Sequence, residues 1–121
     1  MKSVFGDDAG RIDHALQVLG FAEEILARES GDPGVVVPAA ILHDIGIPAA
    51  ERKYGSAAAK YQEIEGPPIA REILTGLGYS GPVIDHVCRI IANHHSARDI
   101  DTPEFRIIWD ADWLVNLRHE A

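Results

Sequence analysis

Apolar residues recur along this chain at helical spacing and almost nowhere with the alternation of a half-buried strand. From Arg11 to Arg28, Ile12, Ala15, Leu16, Leu19, Ala22 and Leu26 recur at helical spacing, the stripe of a first helix with His14 near its start. A second apolar segment begins after Asp32-Pro33 or after Pro38 and is predicted to end near Ile45, where Gly46 and Pro48 supply a stop signal. His43 and Asp44 then occupy its last turn. A third helix is expected after Gly66-Pro67-Pro68, because prolines suit a first helical turn, with Glu65 immediately before it. It carries Ile69, Ala70, Ile73 and Leu74 toward Gly76. The fourth opens at Ser80-Gly81-Pro82, runs its stripe through Val83, Val87, Ile90 and Ile91, and ends at His94-His95. Thr102 followed by Pro103 caps a fifth, from Glu104 to about Arg118. Apolar residues lie on nearly every side of that last helix, which is therefore expected to be central and buried. Val35-Val36-Val37 is β-prone but short and bounded by proline. The pattern predicts an all-α, compact bundle of about five core helices.

The 121 residues suit one domain over 1–121, and Gly and Pro fall as punctuation between periodic segments rather than in a linker. With 46% hydrophobic and 25% charged residues, the composition is that of a packed globule. No apolar segment follows the N-terminal lysine, and Val35 to Leu42 is too short to span a bilayer, so the expectation is a cytoplasmic protein without a membrane partner. The one cysteine, Cys88, falls in an apolar helical pattern and is expected to be a buried thiol. A formal net charge of −8 argues against binding of long nucleic acid, which is held by clustered Lys and Arg. It leaves room for a small phosphorylated ligand, because a metal can reverse the sign of a pocket inside an acidic protein.

The chemistry centres on His43-Asp44, which closes an otherwise apolar segment. A carboxylate at a helix C-terminus conflicts with the macrodipole, and a nearby cation would remove the conflict. Further candidate ligands lie on three other helices: His14, the pair His94-His95, and Asp110 or Asp112. Imidazole and carboxylate donors suit Mn, Fe, Co, Ni, Zn or Mg rather than a sulfur-loving metal. Taken singly, each of these residues is better read as a surface, core, capping or salt-bridge residue.

Taken in order, they resemble the HD superfamily of metal-dependent phosphohydrolases, whose signature is His, then His-Asp, then a distant Asp. The resemblance is carried by HDIG at 43–46, IEGPPIAREILTGLG at 64–78, IIANHH at 90–95 and DADWLVN at 110–116. It implies one or two divalent metal ions. His14, His43, Asp44 and Asp112 would form the first site, the choice of Asp112 over Asp110 resting on the family's ADxL motif and not on periodicity. In binuclear members, such as the HD-GYP phosphodiesterases and the bacterial diadenosine-tetraphosphate hydrolases, the counterpart of Asp44 bridges two metals. A further His and a later His-His pair complete the second site. Here the later pair is His94-His95, and Glu65 aligns with the intermediate His. A second site of Asp44, Glu65, His94 and His95 is chemically competent. The alternative readings of Glu65 are electrostatic support of a helix start, or acid/base work on a metal-bound water.

The resemblance further implies hydrolysis of a phosphomonoester or phosphodiester in a small nucleotide-like molecule, with His94, His95 or Glu65 managing protons. Where many members have Lys after HDIG, Ile47 stands here. Lys53 is the candidate substitute among the nearby cations Arg52, Lys53 and Lys60, with Arg71 and Arg98 as further candidates; His86 and His119 read as surface residues. Two other classes within the superfamily remain open, a di-iron oxygenase of the myo-inositol oxygenase type and a non-catalytic nucleotide-binding regulatory domain. The chain is short for the superfamily. Any substrate-covering helix beyond Ala121 is expected to be absent or to come from a second subunit of a homo-oligomer.

Overall fold

The computed structural model describes residues 9–96 and 100–120; Arg98 and the side chain of His119 lie outside that description. The described residues are all-α, without a strand. Among the described residues six helices follow one another: α1 Ala9–Leu26, α2 Pro33–Leu42, α3 Ile47–Tyr54, α4 Ala59–Gly76, α5 Gly81–Asn93 and α6 Pro103–Glu120. All five anticipated core helices are present, and α3 is added between the second and third.

The core is organised around α2, which has no charged residue and buries Val35, Val36, Pro38, Ala39, Ala40 and Leu42. Asp32 starts it, accepting the Gly34 N–H at 2.8 Å, with Pro33 in the first turn. Helices α1, α5 and α6 pack around it. This corrects the expectation that α6 is the central element. Helix α6 buries Phe105, Ile107, Ile108, Ala111 and Val115, while Trp113, Leu114 and Leu117 face outward. An apolar composition without strong periodicity described that helix, and α2 met the same description with fewer charges to keep wet. On α1, Ala15, Val18 and Ala22 form the buried stripe, and Leu16 faces outward. The stretch Pro33–Tyr54 is long and apolar enough to cross a membrane, but most of it is buried against neighbouring helices and a turn breaks it at 43–46, as in a core segment.

Two boundaries move in ways that matter for the site. Pro48 does not merely end α2; it lies in the first turn of α3, which closes at Gly55 with φ 66°, where the left-handed backbone favours glycine. Helix α4 starts eight residues before the anticipated Pro67 and runs through both prolines. Glu65 is therefore inside a helix, and the reading of it as a helix-start residue is set aside.

The turn between α2 and α3 is pressed onto α4. A Cβ on Gly46 would stand 2.7 Å from the Gln62 carbonyl oxygen and 2.7 Å from the Gly66 nitrogen, while one on Gly66 would meet Ile91 at 2.7 Å. Two glycines thus permit a backbone approach that side chains would forbid. Ile45, fully buried, pins the turn to the core from below. Cys88 is buried as expected, its thiol donating to the Pro67 carbonyl at 3.4 Å.

Candidate metal centre

Four chain segments bring their polar residues to one place. Helix α1 supplies His14, the turn after α2 supplies His43 and Asp44, the end of α5 supplies His94 and His95, and the middle of α6 supplies Asp112. The His14 Nε2 lies 3.1 Å from Asp112 Oδ1 and 3.4 Å from Asp44 Oδ2. The His43 Nε2 lies 3.4 Å from the same Asp44 oxygen and 3.6 Å from the same Asp112 oxygen. These spacings match the edges of a coordination polyhedron: donors about 2.1 Å from an ion are about 3.0 Å apart in an octahedron and about 3.4 Å apart in a tetrahedron. The other oxygen of Asp44, Oδ1, lies 3.3 Å from His94 Nε2. Asp44 therefore stands between two groups, His14-His43-Asp112 on one side and His94-His95 on the other, as a bridging carboxylate would.

The orientation of the buried rings is set by backbone carbonyls. His43 Nδ1 donates to Ala40 at 2.7 Å and His94 Nδ1 donates to Ile91 at 2.6 Å, so in the neutral tautomers Nε2 of each ring carries a lone pair aimed into the cluster. With both rings neutral, each Nε2 is buried facing carboxylate oxygens 3.3–3.6 Å away, with no donor to satisfy its lone pair. A buried polar atom left in this state is costly unless something is held there. Two carboxylates and the C-terminal ends of α2 and α5 meet at the same point, and all of them favour positive charge.

The acidities carry the same message. Burial alone would push the His43 imidazole down, but the charges of Asp44 and Asp112 outweigh it and raise it to about 9. Burial would likewise raise Asp44, yet the imidazoles of His43 and His94 hold it down at about 2. Asp112 is pulled far below the usual carboxylate range by His14 and His43, against the effect of its burial. The donor set, the spacing and the unpartnered nitrogens thus fit a divalent cation.

His95 is at the rim. Burial, reinforced by His94, pushes its imidazole below the ordinary value. Gln62 donates its amide N–H to the Ala57 carbonyl at 2.6 Å, which turns its oxygen toward His95 Nε2 at 2.9 Å. His95 Nε2 is thus the protonated nitrogen, and Nδ1 keeps the lone pair.

Glu65 is placed differently from the expectation. Its carboxylate is buried on α4, taking Lys53 Nζ at 2.8 Å on one oxygen and the Tyr54 hydroxyl at 3.0 Å on the other. It is not among the close-lying Asp44, His94 and His95 donors, and Lys53 is the cation that balances it and lowers its pKa. Neither Lys53 nor Glu65 lines the clefts beside the cluster. Arg71 is paired with Asp85 at 2.8 Å, Lys60 lies 5.0 Å from the centre of the Tyr61 ring, and Asp110 is exposed. His86 is half-buried rather than a surface residue, bonded to Thr102 at 2.8 Å.

Two adjoining clefts open on the cluster and share His95, Asp112 and Asn116. One, of about 300 Å³, adds Trp109 and Trp113; the other, of about 260 Å³, adds Arg11 and Gln62. Sequence reasoning passed over all five of Arg11, Gln62, Trp109, Trp113 and Asn116. Helical spacing from Asp112 could have found three of them, since residues 109, 113 and 116 share its face, and Arg11 stands one turn before His14.

No curated protein and no solved structure matches this chain significantly. The family model described as HD domain matches residues 11–117, a span that contains every donor of the cluster. The chain, with its His, His-Asp and Asp residues gathered from four segments, belongs to the HD domain family.

Proposed function

We propose that this HD domain is a metal-dependent phosphohydrolase that cleaves a phosphomonoester or phosphodiester of a small nucleotide-like molecule. The observation that carries the reading is the pair of buried, unpartnered Nε2 atoms of His43 and His94 aimed at opposite oxygens of Asp44. His14, His43, Asp44 and Asp112 would hold one ion, and Asp44, His94 and His95 a second. Nitrogen and oxygen donors without sulfur suit Mn, Fe, Co, Ni, Zn or Mg. A divalent ion held there supplies positive charge against phosphoryl oxygens and lowers the pKa of water from about 15.7 toward 7.

The chain's own residues supply the rest. Arg11 lines the cleft beside His14, where its guanidinium, paired with Glu51 at 2.8 Å, can exchange that carboxylate for a substrate phosphate. When only the first ion is held, His95, whose imidazole burial keeps below its ordinary value and whose Nδ1 is unprotonated, is suited to accept a proton at the rim of the cluster. Lys53 and Glu65, already neutralising each other, serve to hold α3 against α4 and act on the site only through that packing.

The test is elemental analysis of the protein purified without added metal, joined to a screen for phosphate release from small phosphate esters. His43→Ala and Asp44→Ala are each expected to remove bound metal and phosphate release. Full metal content in Asp44→Ala sinks the assignment. Oxygen consumption without phosphate release would place the chain with the di-iron oxygenases instead, and tight nucleotide binding without turnover with the regulatory domains.

A further inference from the structure

The larger of the two clefts has on its wall a large apolar residue that the fold does not require. Along α6, Trp109, Asp112, Trp113 and Asn116 share one face at helical spacing. Asp112 belongs to the cluster, and the other three line the cleft beside it. Ala111 and Val115 of the same turns are buried in the core, whereas Trp113 leaves 55% of its surface in solvent. Burying an indole is among the larger apolar gains available to a small domain, so one left exposed is not there to hold α6 in place. Trp109 is steadied by Phe105, with ring centres 5.6 Å apart, and the imidazoles of His94 and His95 form the adjoining surface. The second cleft, with Arg11 and Gln62, has no indole or phenyl ring on its wall.

We infer that Trp113, with Trp109 and Asn116, forms a subsite for a planar heteroaromatic ring attached to the phosphate ester. The ring stacks against the indoles, and the Asn116 amide, a donor and an acceptor, faces its polar edge. The division of the clefts then orients the substrate: ring toward α6, phosphate at the cluster, and any second anionic group toward Arg11. The assignment rests on the phosphohydrolase reading of the adjoining cluster for the phosphate, but the stacking contact exists whether or not a bond is cleaved. The subsite makes Trp113 a specificity-determining residue.

The experiment compares adenosine 5′-monophosphate with ribose 5-phosphate on the metal-loaded protein, for wild type, Trp113→Ala and Trp113→Phe. Binding is followed by isothermal titration calorimetry, with quenching of tryptophan fluorescence by the nucleotide as a check on wild type, and turnover by phosphate release. Base–aromatic stacking predicts that wild type binds the nucleotide roughly 10- to 100-fold more tightly than the ringless ester. Trp113→Ala should erase that preference while leaving ribose 5-phosphate binding unchanged, and Trp113→Phe should keep part of it. Trp113 is exposed, so these variants are expected to fold, which circular dichroism checks. Equal affinity for the two esters in wild type, an equal loss of both in Trp113→Ala, or no saturable quenching by the nucleotide overturns the subsite. Trp113-dependent binding without phosphate release would leave the subsite standing and remove the phosphomonoesterase reading. Release from both esters, equally efficient in wild type and Trp113→Ala, would do the reverse.

Discussion

Replacing Gly46 by alanine sets two physical effects against each other. The Gly46 backbone has φ −77° and ψ −13°, a conformation open to any residue, so reduced freedom of the unfolded chain favours alanine by about 0.4–1 kcal/mol. Against this, the new Cβ would sit 2.7 Å from two backbone atoms of α4, which must retreat by about 0.7 Å to reach ordinary contact at 3.4 Å. Backbone cannot rotate aside as a side chain can, and overpacking of this kind costs about 1–3 kcal/mol. The steric effect wins. A net loss of about 1–2 kcal/mol lowers the Tm of a domain this size by roughly 3–10 °C. The same displacement moves the turn that carries His43 and Asp44, and ligand sets tolerate only about 0.5 Å of error, so metal affinity should fall as well. Gly20→Ala is the control, since nothing lies within 4 Å of its Cβ position on α1; it should raise the Tm slightly and leave metal binding alone. The assays are calorimetric unfolding and metal titration. A Gly46→Ala protein with the Tm and metal affinity of wild type would refute the close-packing argument.

Three further outcomes are expected. Asp112→Asn should abolish binding at the first ion site, whereas Asp110→Asn, on the exposed face of α6, should change stability by no more than about 0.5 kcal/mol and bind metal normally; titration showing the reverse loss would place the donor one face away. Glu65→Gln should leave metal stoichiometry as in wild type, because its carboxylate is engaged by Lys53 and Tyr54, and should weaken the α3–α4 contact; selective loss of one metal in that variant would return Glu65 to the ligand set. Metal affinity should rise with pH through the neutral range and level off near pH 9, since the proton that Asp44 and Asp112 hold on His43 up to about 9 must leave before that imidazole can act as a donor. Isothermal titration across pH 6–9 with no such rise would count against His43 as a ligand.

Helical periodicity located all five core helices, and the Thr102 cap lies at a helix start as read, because apolar spacing and capping chemistry are properties of a few consecutive residues. The ordered series His14, His43-Asp44, His94-His95 and Asp112 was likewise visible, through its resemblance to a family rather than through spacing. Local signals went astray where neighbours decide. Pro67 and Pro68 read as a helix start, yet α4 runs through them, and Pro48 opened a helix that its position after Gly46 had suggested was absent. Which apolar helix is central depended on partners: α2 is enclosed by three helices, while α6 turns Trp113, Leu114 and Leu117 outward. Only the tertiary structure could turn Glu65 to Lys53 and Tyr54, aim the lone nitrogens of His43 and His94 at the two oxygens of Asp44, and set Trp113 beside Asp112 at the mouth of the cleft. The physical reason is that periodicity reports which face of a helix avoids water, whereas a site is made by the crossing of several helices, whose register is set by packing between residues far apart in the chain.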